Sequence, residues 1–444
     1  LKHIVRALKV SFVLMLVMSL VIACSSNSQS GNTDGASSDT GNQGGKAEKV
    51  TLRVMLAKDP TKDLYFDWMS ENMKLFKEKN PHIEFDVTAN ASGDQYLTVV
   101  TTEMAANNVP DIVQGWTLER MRPFVESGRL LDLREAIESD PEWKGFLQEE
   151  PLKATTFDGG IYGIPSTLDS EIIYYNKDVF EKYNLQEPQT YEDFLNIVKT
   201  LKENGIIPMT VPNKDSWTGT IPYMMIAERI GGLEAYQNIV MDHKEPWTSE
   251  PLIQAANTLQ ELVELGAFEK DVNSVHTSES EAKLAEGKAG MFAMGTWRIP
   301  SLYENLGDKL GIFNFPDIAG GKGSKDHYLI IPNVSLSIAK ETKHKEEAIA
   351  FLKFAFSQER QEALAKLGFL TTTKVKTNKE EVNPIAVELQ ESLANSTGSM
   401  YPWDVPLGAF MGAELNNATQ ILYMGKDPKE VFGDLQKKQD NQKK

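Results

Sequence analysis

Cysteine is almost absent. The 444 residues contain one, Cys24, so an internal disulfide framework and a thiolate metal cluster are both excluded. Histidine is scarce too: the six are scattered, with no His-x3-His spacing and no cysteine to join them. A metal catalytic centre is therefore not expected. The Gly-x-Ser-x-Gly elbow of a serine hydrolase is missing, and the Gly-rich run Ala319 to Ser324 lacks the Gly-x4-Gly-Lys-Ser/Thr spacing of a phosphate-binding loop, so it reads as a turn. Positive charge is in deficit. Lys and Arg number 46 against 63 Asp and Glu, a balance of -17 with no basic stripe, which argues against a nucleic-acid partner. No repeat of solenoid length is visible. A glycosidase needs only two carboxylates about 5 to 10 Å apart, a requirement too weak to count for or against a chain with this many acids.

Long apolar runs are equally few: one, at the N-terminus. Lys2, His3, Arg6 and Lys9 precede the apolar core Ser11 to Ala23, too short for a comfortable membrane span and shaped like an export signal. Val21-Ile22-Ala23-Cys24 resembles a bacterial lipobox, in which Cys24 carries the lipid; a plain export signal with an incidental cysteine is the other reading. Two acyl chains suffice for lasting anchorage where one is marginal. Residues 24–48 are Ser, Gly, Asn, Asp, Gln and Thr with little that is apolar. They read as a tether with a reach of about 25 to 30 Å.

After residue 48 strands and helices alternate. Val50 to Leu56 reads as a strand, Asp63 to Lys79 as an amphipathic helix, Ile83 to Val87 as a strand, Tyr96 to Ala106 as a helix, Asp111 to Gln114 as a strand and Gly128 to Ser139 as a helix. This rhythm implies a mostly parallel sheet, with ligands at loops beyond the carboxyl ends of strands. The stretch Phe157 to Gly205 holds a hairpin turning at Asp158-Gly159-Gly160, a strand Glu171 to Tyr175, a short helix capped by Asn176 and a longer one opened by Thr190 and Asp193. Between hairpin and strand, Ser166 to Glu171 is either a crossing between lobes or an ordinary loop.

Seven tryptophans are present. Trp116, Trp217, Trp297 and Trp403 stand in loops or at helix starts, where each either caps the core or faces a cleft. Aromatic faces with planar carboxylates and amides around them suit a sugar, whose edges are hydroxyls and whose faces are C–H. Tyr174 and Tyr175 are adjacent in a strand and point to opposite faces, a poor arrangement for chelating iron.

The order YGIP, YYNKDVFEKYNLQEPQTYEDF, LAEGKAGMFAMGTW and IPNVSLSIAKETKHKEEAIAFLKFAFSQERQ resembles the extracellular solute-binding proteins of ABC importers, in particular the sugar-binding group that includes maltose-binding protein. The resemblance implies an α/β, two-lobe periplasmic-binding-protein fold with three interlobe crossing segments and a ligand cleft. It places the crossings near Leu168 to Glu171, Tyr328 to Pro332 and Thr371 to Glu381. Lobe I would hold residues 49–168 with about 333–375, and lobe II 170–328 with about 385–444. It further implies a membrane-anchored receptor that delivers a small-molecule solute, a carbohydrate, to ABC permease subunits, with no catalysis and no cofactor. A binding protein for another solute on the same fold, or a surface glycan-processing enzyme, are the alternatives.

Trp116, Glu119 and Arg120 match in spacing a ligand-contacting set of that group's first lobe, and Lys58 and Asp59 fall where it places polar ligands, a solvated turn being the plain alternative. Asp169 falls where relatives carry a contacting acid, unless it is a hinge residue capping a turn. Trp297 follows Gly295 as in the group's Gly-x-Trp. Trp217, beside Asp215 and Ser216, corresponds to an aromatic-bearing loop. Trp403 and Asp404, between Pro402 and Pro406, match by position a loop that faces the cleft.

Overall fold

The computed structural model describes residues 48–59, 63–91 and 94–442. The expected signal segment, Cys24 and most of the tether lie outside the described residues. Eleven strands are seen among the described residues: β1 (Val50–Lys58), β2 (Ile83–Ala91), β3 (Ile112–Gly115), β4 (Thr156–Phe157), β5 (Gly160–Ile161), β6 (Ile164–Asn176), β7 (Ile207–Thr210), β8 (Ala289–Gly295), β9 (Leu310–Phe313), β10 (His327–Ile338) and β11 (Gly398–Met400). Nine form one sheet in the order β2-β1-β3-β10-β6-β8-β7, with β11 beside β10 and β9 beside β6.

Local chemistry sets many of the boundaries. Asp63 caps the helix Leu64–Lys79 by accepting from the Phe66 amide at 2.9 Å. Thr190 and Asp193 form a reciprocal capping box at the start of Tyr191–Glu203, and Asn176 caps Lys177–Lys182. Asp158 and Gly159 both take positive φ, 45° and 84°, so the β4–β5 hairpin turns through the backbone conformation that Asp-Gly favours.

Two readings need correction. The sheet is mixed rather than mostly parallel: β1 pairs parallel with β2 and β3, but β10 runs antiparallel to both β3 and β6, and β6 antiparallel to β8 and β9. The long strands β6 and β10 return through the sheet, and that return is invisible in a local alternation of helix and strand. Within Gly128 to Ser139 only Arg134–Glu138 is helical, because Leu131 donates to Ile338 and Leu130 bridges Ala339. The helix starting at Trp217 breaks at Gly231-Gly232. It resumes to Tyr236 across a break at Gly232 (φ 70°), where a Cβ would meet the Lys322 carbonyl oxygen at 3.0 Å. The helix Pro384–Ala394, opened by Asn383 as cap and Pro at its first position, has no counterpart in the sequence reading.

Ser166 to Glu171 is the middle of the unbroken strand β6. Its neighbour β10 pairs with it in one antiparallel register from Leu329 opposite Glu171 to Leu336 opposite Ile164, interrupted only at Val334. On the other side the Leu168 amide donates to Leu370 at 2.8 Å, and Thr167 bridges Thr371. Three segments therefore run side by side between two sets of buried side chains. One set is drawn from residues 50–164 and 336–369, the other from 172–329 and 385–435. These are the cores of a two-lobe α/β fold, each side interrupted in sequence.

Candidate functional site

A cleft of about 450 Å³ lies between the two cores, walled by residues of both. Its walls come from the loops after the carboxyl ends of β1, β3 and β8, where a doubly wound sheet exposes its backbone ends to a ligand. Six of the ten sequence-nominated residues line it: Asp59, Trp116, Arg120, Trp217, Trp297 and Asp404.

The aromatic groups form two pairs. Trp217 and Trp297 have ring centroids 5.8 Å apart at 44°, and Trp116 and Tyr96 are 5.5 Å apart at 50°. Both are within the range favoured by ring quadrupoles. The loop bearing Trp116 is fixed by Ser335, whose hydroxyl donates to the Trp116 carbonyl at 2.8 Å, and by Thr117, which donates to Pro332 at 2.8 Å. Trp297 rests on Gly295 and packs against side chains of both lobes. The β6–β10 ladder skips Val334, a cleft residue held at φ 49°. A β-branched residue is strained there.

Charge crosses the cleft at two points. The Arg120 guanidinium meets the Asp404 carboxylate at 2.8 Å, their side chains 20% and 9% exposed, and Asn416 also donates to Asp404 at 3.2 Å. Arg298 donates to Asp59 and lies 3.3 Å from Glu281. Burial alone would lower the Arg298 pKa, but Glu281 and Asp59 outweigh it and hold the guanidinium charged. Burial raises the Glu281 carboxyl, with Arg298 opposing.

Four nominated residues are placed elsewhere. Lys58 is exposed, its ammonium over the Phe66 ring at 4.4 Å from the centroid. Glu119 turns to Arg122, accepting from both guanidinium branches, one at 2.6 Å. Asp169 is 2% exposed and enclosed behind the cleft, accepting from Thr167 (2.9 Å), Asn333 (3.0 Å) and Thr296 (3.4 Å). Burial pushes its carboxyl up to about 6, although these three donors oppose the shift. It orients Asn333, which does line the cleft, and joins both long strands to the segment after β8. Trp403 is a core residue, 1% exposed and edge-on to Tyr223, its indole N–H directed at the Met400 sulfur at 3.3 Å. Its neighbours Pro402 and Asp404 take the cleft side.

Sequence reasoning passed over Glu171, Arg298, Asn333 and Asn416, all of which line the cleft. Glu171 had a readable signal, a carboxylate opening an otherwise apolar and aromatic strand. Arg298 directly follows Trp297. Asn333 and Asn416 carry no comparable mark. Among the described residues no group of three or more His, Cys, Asp or Glu side chains could hold a metal ion, and no helix is long and apolar enough to cross a membrane. What the cleft offers is aromatic faces ringed by carboxylates, guanidinium groups and amides, a surface for a polyhydroxylated molecule.

Residues 61–362 match the family model for bacterial extracellular solute-binding proteins. An uncharacterised ABC transporter extracellular-binding protein of Pyrococcus horikoshii is 25% identical over 374 residues, 81% of this chain and 82% of that one. The diacetylchitobiose binding protein DasA of Streptomyces coelicolor is 26% identical over 347 residues, 76% of each. A solved structure described under xylan utilization by the thermophilic bacterium Caldanaerobius polysaccharolyticus superposes with a TM-score of 0.82 at 26% identity, covering 87% of this chain and 99% of that one.

Proposed function

The chain belongs to the bacterial extracellular solute-binding protein family, and on that premise we propose that it captures a sugar or oligosaccharide between its lobes and delivers it to an ABC import permease. The observation that carries the sugar reading is the pairing of aromatic rings on both walls of one cleft with Arg120, Asp404, Asp59 and Arg298 at its sides. Rings stack on the C–H faces of a pyranose, while carboxylates and guanidinium groups bond to its hydroxyls. Names of relatives support it, one a diacetylchitobiose binding protein.

In this reading Trp116, Trp217 and Trp297 stack on the solute, and Asp59, Arg120 and Asp404 bond to its hydroxyls. Lys58 and Glu119 stand outside first contact, Asp169 acts through Asn333, and Trp403 holds the loop that carries Asp404. The lobes comprise 49–168 with about 333–375, and 170–328 with about 385–444, a division supported by the two sets of buried side chains. Cys24 carries the lipid and residues 24–48 form the tether, so the receptor works on the extracytoplasmic face of the membrane. No catalytic step is required: solute favours the closed lobes by binding them better, and the permease reads the closed form.

Tryptophan emission titrated with mono- and oligosaccharides, with small-angle scattering for compaction, tests the reading. Saturable binding with compaction is expected. Binding without compaction refutes closure, and hydrolysis of a bound glycan refutes the receptor.

A further inference from the structure

Nε of Arg298 is a buried cleft atom without a hydrogen-bond partner, though it lies 3.3 Å from Glu281, and two more such atoms are Oε2 of Glu171, a residue 4% exposed, and Nε of Arg120. One is an acceptor and the other a donor. Leaving such groups unpaired costs about 1 to 3 kcal/mol each and more where charge is involved. The cleft therefore holds an unmet demand of both kinds.

Strand register puts Glu171 there. It lies on β6 between Gly295 of β8 and Leu329 of β10, among the buried neighbours Ser170 and Ile172. Burial drives its carboxyl well up, Asp404 adds to the shift and Arg120 opposes it, so the three groups share one field. The remaining carboxylates of the described lining are Asp59, Asp63, Asp215 and Asp404, against two guanidinium groups, Arg120 and Arg298, both already engaged with acids. No lysine is among the described lining residues.

We propose that Glu171 contacts the bound solute, sharing a hydroxyl of it with Arg120, in a cleft whose other carboxylates make it select neutral glycans over glycans that carry a carboxylate. A hydroxyl both donates and accepts, so a single one satisfies Glu171 and Arg120 together. A ligand carboxylate only accepts. It would serve Arg120 but bring a full negative charge beside Asp59, Asp63, Asp215 and Asp404. The inference rests on the sugar reading given above and names the class of sugar within it.

The test is calorimetric titration of the full chain and of E171A and E171Q with xylo-, chito- and galacto-oligosaccharides, and with oligogalacturonides as carboxylate-bearing counterparts. The melting temperature of each unliganded protein is measured alongside. The wild type should bind a neutral oligosaccharide at least about ten-fold more tightly than any oligogalacturonide, and E171A should lose about ten-fold or more on the neutral ligand. Unliganded E171A should melt no lower than the wild type, because the substitution removes an unpaired buried carboxyl. E171Q, an uncharged donor and acceptor like the protonated carboxyl, should bind neutral ligand better than E171A and keep the preference over oligogalacturonides. E171A binding like the wild type, a binding loss matched by a lower melting temperature, or equal affinity for acidic and neutral glycans would each overturn the inference and leave the sugar reading standing. If no saccharide binds the wild type saturably, the sugar reading falls and the inference with it.

Discussion

Gly295 decides where Trp297 can lie. Its backbone is extended, φ −77° and ψ 157°, a conformation open to any residue, so Gly295→Ala introduces no backbone strain. Yet a Cβ there would fall 2.0 Å from two ring carbons of Trp297, far inside van der Waals contact. The ring has to leave its seat. Overpacking costs about 1 to 3 kcal/mol where the surroundings cannot yield; here the obstacle is the far end of a side chain at a cleft, so the stability loss should sit at the low end. The larger effect is on binding, because the displaced ring leaves its place 5.8 Å from Trp217 and no longer offers its face to solute. An aromatic contact contributes about 0.5 to 1.5 kcal/mol beyond its buried area. With the lost area the expected total is about 1 to 3 kcal/mol, or roughly 5- to 150-fold in Kd. Calorimetric titration with the bound saccharide should show Gly295→Ala and Trp297→Ala each weakened by that amount, and the double variant no weaker than Trp297→Ala alone, since both act through one ring. Wild-type affinity in Gly295→Ala, alongside a loss in Trp297→Ala, would refute the reasoning.

Asp169 gives a pH dependence. A carboxyl raised from 3.8 to about 6 in the folded state holds its proton more tightly there than in the unfolded chain, so its stabilising contribution is complete below pH 3.8 and is lost as pH rises through 6. The size is on the order of 3 kcal/mol; denaturant unfolding between pH 4 and 7 should show this fall in the wild type and a smaller one in Asp169→Asn, and equal slopes would count against it. Asp404→Ala leaves Arg120 without its partner across the cleft and should favour the open lobes by about 1 to 3 kcal/mol, between the values for exposed and buried pairs. Scattering on the ligand-free protein would then give a larger radius of gyration, and an unchanged radius would show that the pair does not hold the lobes together. Cys24→Ala should release the protein from the membrane fraction of a bacterial host, since two acyl chains provide the lasting attachment; retention in membranes would remove the lipid from Cys24.

Much of the fold was legible because its signals are local. The caps at Asn176 and Thr190 and the hairpin at Asp158-Gly159 are encoded within four residues, and each forms as expected. The direction of strand pairing was not legible. Antiparallel β6 and β10 are separated by about 150 residues of chain, and no local pattern states that they meet. Nor was the parting of Lys58 and Asp59 legible: Lys58 is exposed over the Phe66 ring, while Asp59, one residue on, lines the cleft.

Among the site residues the division follows the same line. Sequence by itself determined which loops carry aromatics and charge, and hence that Trp116, Arg120, Trp217, Trp297 and Asp59 were worth nominating. Tertiary structure alone decided that Trp403 goes to the core while its neighbour Asp404 reaches Arg120, that Asp169 is covered by three donors, and that Glu171 faces the cleft with an oxygen unmatched. Side-chain chemistry belongs to the residue and can be read from its letter. Burial and partnership belong to the packing of segments far apart in sequence, which fixes how much water each group loses and what it receives in return.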